Sequence, residues 1–520
     1  MGHKGKLSLT IKNTLAALHR LSPLCGIPPE EAFCCLLFFG LPLVMWQGFF
    51  FVTEAKGAFL ILLTLVFIPL SIKGRGEVAR HLFRGEGLAG MGGLLPLLLC
   101  FFFQILASLL GPAPGLALLA PDNRYQGIVT LLCYGWMALF LGGRGGLKKT
   151  SACPGAAAFV LVSLLGILNR LGLDPLGTLR PLTAFDRGRY LSTLGNINFL
   201  SAYLVLTVPM LFLAALVKGP GPGRWVLFSI SGLGLWALVA AGCDSALLGL
   251  GAAVLALPCL LGDSTKALKQ LPIALGGGLL SMKLAQLFFA GAGCTHLSPL
   301  FSTLLEWPCL LAFLGLLALL QGLFHLRKEA ALAPALLRYR RALLFGLALG
   351  LIFILLLNTA LSHLPLRGSL ACLRLSESWG TDRGRIWSAC IRLFGKLPLW
   401  QKLMGGGSGV LAQNLTQGTV FPDAAVDAAH NEYLHLLLTG GILGLGSYLL
   451  FLIPLLSRGF RRGQSPRTRA LTLGILAYAA QGLVNIAQPA TTPLFFALLS
   501  LLFYETGQGN PRKNPETGKY

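Results

Sequence analysis

Acidic side chains are scarce in this chain of 520 residues: 19 Asp and Glu stand against 42 Lys and Arg, and charged residues of either sign make up only 12%. So thin a charge cover, beside 55% hydrophobic residues and a mean hydropathy of +0.72, excludes a soluble globule and indicates a polytopic membrane protein. A cleavable leader is not expected either. Residues 1–30 carry Lys4, Lys6, Lys12 and Arg20, with neither an apolar core nor a small-residue cleavage site, so the first span is expected to insert uncleaved. Residues 8–20 read either as a short basic amphipathic helix on the inner surface or as an unstructured tail. A phosphate loop is missing too, because GGGSG at 405–409 is followed by no GKS or GKT and preceded by no strand, and it reads as a flexible turn.

What the sequence has in abundance is apolar length. A helix crossing a bilayer needs ~20 mostly apolar residues. Such runs recur near 32–52, 57–72, 93–112, 127–143, 154–172, 197–217, 225–241, 245–261, 272–291, 300–324, 342–362, 434–457, 470–487 and 491–504. The expected fold is an all-α polytopic integral membrane protein with about 12–14 spans. Its parts are a basic inner tail (1–31), a first group of helices (32–362), a long outer-face loop (363–431), the last helices (432–504) and an inner C-terminal tail (505–520).

The net charge of +23 follows this topology rather than a nucleic-acid partner. With the N-terminal tail inside, inner loops collect Lys73, Arg75, Arg80 and Arg84, then Arg144, Lys148 and Lys149, Lys218 and Arg224, and Lys266 and Lys269. Later ones hold Arg327, Lys328, Arg338, Arg340 and Arg341, then Arg458, Arg461, Arg462, Arg467 and Arg469. This is the positive-inside bias, with anionic lipid as the natural contact. Two outer segments run against it: 173–195 holds Arg180, Arg187 and Arg189, and 363–431 holds Arg367, Arg374, Arg383, Arg385, Arg392, Lys396 and Lys402. Guanidinium forks kept outside suit an anionic, phosphate-bearing ligand; the alternative is that long loops cross whatever their charge.

Within 381–400, Ile386, Cys390, Leu393, Phe394 and Leu397 recur at helical spacing, and Arg385, Ser388, Arg392 and Lys396 take the other side. We expect a helix lying along the outer membrane surface, capped by Thr381 or Asp382, with Trp387 and Trp400 at the interface. An ordinary amphipathic loop helix whose arginines meet lipid headgroups is the plainer reading. Most of the twelve cysteines act as small apolar side chains in spans; Cys372 and Cys390 fall in the outer loop, and a disulfide between them stays open. Lys283 and Glu306 fall inside adjacent apolar runs and should pair or face a cavity. Asp423 and Asp427 precede the next span, and Asp427 either caps it or does acid–base work.

His430 opens that span, where a group titrating near neutrality meets the outer surface. His435, five residues on, lies on another helix face and makes a poor zinc partner. GRIW at 384–387, GGGSG, and then HNEYLHLLLTGGILGLGSYL from 430 resemble the signature of the O-antigen ligase and O-antigen polymerase superfamily. STLGNINFLSAYLVLTVPM at 192–210 is similar to that family's GNxNF segment, with weaker echoes in NRYQG at 123–127 and LGLDPLG at 171–177. CDSALLGL at 243–250 departs from the family pattern by placing Asp244 where a basic residue is expected.

The resemblance implies a metal-independent glycosyltransferase, without cofactor, on the outer face of the cell membrane. Its donor would be a glycan on undecaprenyl diphosphate and its acceptor a hydroxyl of a glycan, a lipid or a protein. By position, His430 takes the family's loop-end histidine, Arg385 the arginine before tryptophan, and Arg189 the arginine before GNxN. Chemistry agrees: a neutral imidazole, reference pKa ≈ 6.5, can take the acceptor proton, and guanidinium groups can stabilise the departing diphosphate. Arg383 and Arg187 are further candidates for the diphosphate, with Asn431 and Glu432 in support. Two other readings remain: a cell-wall polymerase of the elongation and division type, using an outer-loop Asp, and a transporter of the same lipid-linked sugars.

Overall fold

The computed structural model describes residues 27–72, 93–111, 114–144, 149–262, 264–294, 297–326, 332–359, 374–422 and 425–508. The basic N-terminal tail, the inner-loop cations of 73–92, Lys148, Arg327, Lys328, Arg367, Cys372, Asp423 and the C-terminal tail from 509 lie outside the described residues. The long helices are α1 (Pro29–Leu43), α2 (Val52–Ile72), α3 (Leu95–Leu110), α4 (Ile128–Arg144), α5 (Lys149–Arg170), α6 (Ile197–Val217), α7 (Pro222–Ala241) and α8 (Ser245–Leu261). They continue as α9 (Thr265–Gly291), α10 (Trp307–Leu326), α11 (Leu332–Asn358), α12 (Trp379–Lys396), α13 (Glu432–Gly459), α14 (Pro466–Gln481) and α15 (Thr492–Gln508). Each apolar run named above overlaps one of them, because lipid offers no partner to a free backbone group and a helix closes its bonds internally. Among the described residues eight helices are long and apolar enough to cross a membrane, and four shorter apolar helices accompany them. The protein is a multi-pass, all-α membrane protein. Among the described residues the strands are a two-residue hairpin, Tyr190–Leu191 against Gly195–Asn196, just ahead of α6.

α6 is the axis of the core: Leu200, Leu204, Val205, Leu206 and Leu213 are fully buried. It packs on α7 and α14, while α3 packs on α13, α1 on α5 and α4 on α15. Glycines set the closest approaches. A Cβ at Gly474 would stand 2.4 Å from Leu206 O, and one at Gly249 would stand 2.6 Å from Ala477 O. α10 and α11 instead turn Leu316, Leu319, Phe345 and Ile352 outward, the surface a lipid-facing helix presents.

Lys283 and Glu306 do not pair. The run at 300–324 is broken after a short helix, Pro299–Leu305, where Glu306 is extended and exposed and α10 restarts at Trp307–Pro308. That break leaves a helix-end carbonyl free. Lys283 Nζ donates to it, Leu305 O, at 2.8 Å and to Gln286 Oε1 at 2.9 Å, and sits 4.8 Å over the Trp307 ring.

The outer-loop helix also differs from the expectation. Gly380, Thr381 and Asp382 are left-handed (φ 60°, 59° and 67°), so neither Thr381 nor Asp382 has the extended backbone of a cap residue. The apolar face of α12, Ile386, Ala389, Cys390 and Leu393, is covered by Val410, Leu411, Leu415, Val426, Ala429 and Leu438. Helical spacing marks a face to be buried but does not say what buries it, and here protein does so in place of lipid. Cys390, wholly inside this small core, is a free thiol.

Candidate functional site

Two glycine clusters fix the outer loop to the span that follows it. α13 breaks at Gly441 (φ 70°, ψ −172°), and Gly405–Gly407 cross the break. Gly406 N donates to Leu438 O at 2.8 Å and Gly407 N to Thr439 O at 3.1 Å, so the carbonyls freed by the break are taken up. No side chain fits between the chains: a Cβ at Gly405 would lie 2.2 Å from Thr439 O, and one at Gly441 2.3 Å from Leu403 O. Ser408 N donates to Ser108 Oγ at 3.0 Å on α3. GGGSG is therefore a buried crossing point and not the flexible turn expected of it.

At the other end of the loop Asn431 caps α13, its side chain accepting from Tyr433 N and Leu434 N, each at 3.0 Å. Glu432 turns into the bundle, where it accepts from Tyr478 Oη at 2.9 Å. His430, immediately ahead of the cap, is half-buried and left-handed at φ 50°, an uncommon backbone for a residue with a side chain.

Arg124, on the turn between α3 and α4, grips Asp427 with both arms of its fork: Nε to Oδ2 at 3.0 Å and Nη2 to Oδ1 at 3.2 Å. Its guanidinium also lies 5.8 Å from the Phe199 ring. Arg383 donates through Nη1 to Gly380 O at 2.7 Å and keeps a buried, unpartnered Nε. Burial pulls the Arg383 guanidinium down, with Cys243 and Asp244 acting the other way. These charges converge on His430. Burial first, then the Arg124 and Arg383 cations, push its imidazole from 6.5 down to about 4; Asp427 opposes them and His435 adds to them. The ring is thus neutral over the physiological range.

The remaining expected arginines sit differently. Arg385 is partly exposed, 3.8 Å from Glu377 Oε2 and 4.0 Å from Asp382 Oδ1, with its guanidinium 5.7 Å from the Phe421 ring. Arg187, exposed, donates to Leu182 O at 3.3 Å. Arg189 is exposed at the hairpin before α6. Arg383 is thus an expected arginine whose charge acts on His430, and Arg124 is a cation that residue-by-residue reading passed over. The signal for Arg124 was the NRYQG echo, which carries it between two spans.

The GNxN segment is part of the scaffold around this point. Asn196 caps α6 by accepting Asn198 N at 2.8 Å, and Asn198 Oδ1 lies 3.0 Å from Cys243 Sγ. Asp244 accepts from Ser298 Oγ and from Phe301 N at 3.1 Å, which ties α8 to the short helix at 299–305 and explains an acid there. A pocket of about 90 Å³ between α3, α4, α13 and α15 is lined by residues that include Gln104, Gln126, Tyr134, Glu432, His435 and Tyr448. Gln126 Nε2 and His435 Nδ1 are buried there without partners.

Residues 309–449 match the family model described as O-antigen ligase. No curated protein matches the chain. The matched segment holds Arg383, Arg385, GGGSG, His430, Asn431 and Glu432, and it supports the resemblance to the O-antigen ligase and polymerase superfamily. Arg124, Arg187, Arg189 and the GNxN segment lie ahead of it.

Proposed function

We propose that the protein transfers a glycan from undecaprenyl diphosphate to an acceptor hydroxyl on the outer face of the cell membrane, as a repeat-unit polymerase or an O-antigen-type ligase. The observation that carries this reading is a histidine at the mouth of a span, inside the segment that matches the O-antigen ligase family, whose imidazole feels the Arg124 and Arg383 cations. His430 is the general base. The acceptor oxygen attacks the anomeric carbon, its proton passes to an imidazole nitrogen, and the sugar–phosphate bond breaks with its electron pair going to the lipid diphosphate.

Arg383 and Arg385 take the charge that grows on the leaving diphosphate, so stabilisation is greater in the transition state than before it. Arg383 has a donor to spare, the buried Nε. Arg187 and Arg189 line the approach of the anionic headgroup. Asn431 supports His430 by fixing the start of α13, and Glu432 does so through Tyr478. No metal is needed for these steps.

A base of pKa about 4 is weak, but the donor corrects this. A diphosphate entering beside Arg124 and Arg383 offsets the charges that hold the imidazole down and raises its proton affinity when the acceptor must be deprotonated. The test is His430→Ala in protein reconstituted into liposomes with donor extracted from the cells that make it. A general base contributes ~10²–10⁴-fold, so transfer should fall by that factor while donor binding persists. Undiminished transfer would overturn the assignment, and loss of donor from the outer leaflet instead would point to a transporter.

A further inference from the structure

Asp427 is the main polar anchor of the four residues that lead into α13. Val426 N reaches Leu415 O at 2.9 Å and Asn431 caps the helix, and among the described residues the bonds that hold residues 427–430 between them are those from Asp427 to Arg124. Arg124 belongs to the opposite half of the chain, 303 positions away. Both ends of this contact are locally unfavourable: Arg124, Tyr125 and His430 have φ of 51°, 58° and 50°. Such backbone is costly for a residue with a side chain and persists where the surroundings over-determine it, which happens at functional sites. The turn bearing Arg124 is itself held, since Tyr125 Oη donates to Glu54 at 3.3 Å, Thr130 Oγ1 to Tyr125 O at 2.7 Å and Tyr134 Oη to Gln126 at 3.0 Å.

We propose that the Arg124–Asp427 pair is a positioning clamp, which fixes the last residues of the outer loop to the α3–α4 turn and so sets where the His430 ring meets the acceptor hydroxyl. This rests on His430 being the reacting base. Arg124 and Asp427 are positioning residues, acting through the backbone of 427–430. The charged and titratable groups acting on His430 are Arg124, Arg383, Asp427 and His435.

The two partners carry opposite charges, which separates a clamp from a purely electrostatic role. Arg124→Gln removes a cation near His430 and Asp427→Asn removes an anion, so electrostatics alone would move the ring's titration in opposite directions; loss of a clamp acts the same way in both. The first readout is modification of His430 by diethyl pyrocarbonate, followed by peptide mass spectrometry on the full chain in lipid nanodiscs at about pH 7, where the ring is neutral with or without either charge.

Each single variant should raise the labelling rate of His430 several-fold while His325 stays at its parent rate. The double variant Arg124→Gln/Asp427→Asn should match a single variant, because neighbouring residues that act as one unit are not additive. Unchanged labelling of His430, or effects of the two singles that add, overturns the clamp. Should a neutral variant expose every histidine, the exchange Arg124→Asp/Asp427→Arg decides: return of His430 towards its parent rate supports the clamp, and no return overturns it.

The second readout is turnover with donor extracted from the producing cells. A misplaced catalytic group can cost up to about 10²-fold, so kcat should fall by about tenfold or more in either single with KM within about twofold, and Asp427→Glu should recover part of it. The labelling result needs no catalysis. If His430→Ala keeps full transfer, the proposed base is wrong whether or not the labelling shows a clamp.

Discussion

At the residue scale the informative quantity is the charge state of His430. Its folded pKa, about 4, lies below the ordinary 6.5, so between these values the unfolded chain binds the proton and the folded chain does not. The stabilising contribution is therefore complete above about pH 6.5 and is lost as pH falls towards 4. Catalysis divides along the same line. The acid limb of kcat/KM reports the free protein and should fall near pH 4, whereas the limb of kcat reports the donor complex and should lie higher, because the bound diphosphate offsets Arg124 and Arg383. Steady-state rates across that range check this, and coincident limbs would show that donor charge does not reach the imidazole. Arg383→Lys retains charge and loses the fork, so it should cost more turnover than Arg189→Lys at the exposed hairpin; equal losses would return Arg189 to the centre of the site.

Elements were legible in this sequence to different depths. Spans could be read because length and apolarity suffice, and α1 to α11 and α13 to α15 fall where the apolar runs do. The break at Glu306 was hidden inside such a run, since one polar residue before Trp307–Pro308 leaves its mean apolarity intact. α12 was legible as a helix and misread in its surroundings, because its cover comes from residues 410–438, beyond the reach of periodicity. GGGSG hid its purpose for a related reason: the space that forbids a Cβ is made by Thr439, a distant backbone. Gly405→Ala and Gly441→Ala should each cost about 2 kcal/mol or more, from the left-handed backbone and the overlap together, with loss of transfer. Gly446→Ala, on the same helix with nothing within 4 Å, is the control and should be neutral or slightly stabilising. Thermal melting of the three variants measures this, and a tolerated Gly405→Ala would mean that the crossing yields.

At the scale of the whole molecule two separate regions meet at one point. Arg124 comes from the first helices and His430 from the last, and only the fold makes them neighbours, which is why the sequence offered His430 through its motif while Arg124 stayed inside a faint echo. The basic residues add an orientation. Those between α13 and α14 (Arg461, Arg462, Arg467 and Arg469) form a dense cationic turn, and the positive-inside bias assigns them to the cytoplasm. The two ends of one span lie on opposite sides of the membrane, so the loop ending at His430, at the other end of α13, is expected outside. Thr416, exposed in that loop, and Arg462, exposed in the basic turn, make the assignment measurable. In intact cells a membrane-impermeant maleimide should label Thr416→Cys and spare Arg462→Cys until the membrane is opened. The native cysteines provide the background, measured in parallel on the unsubstituted chain. The opposite pattern would put His430 on the cytoplasmic side, where an outward-facing lipid-linked donor cannot reach it, and the proposed reaction would fail with the topology.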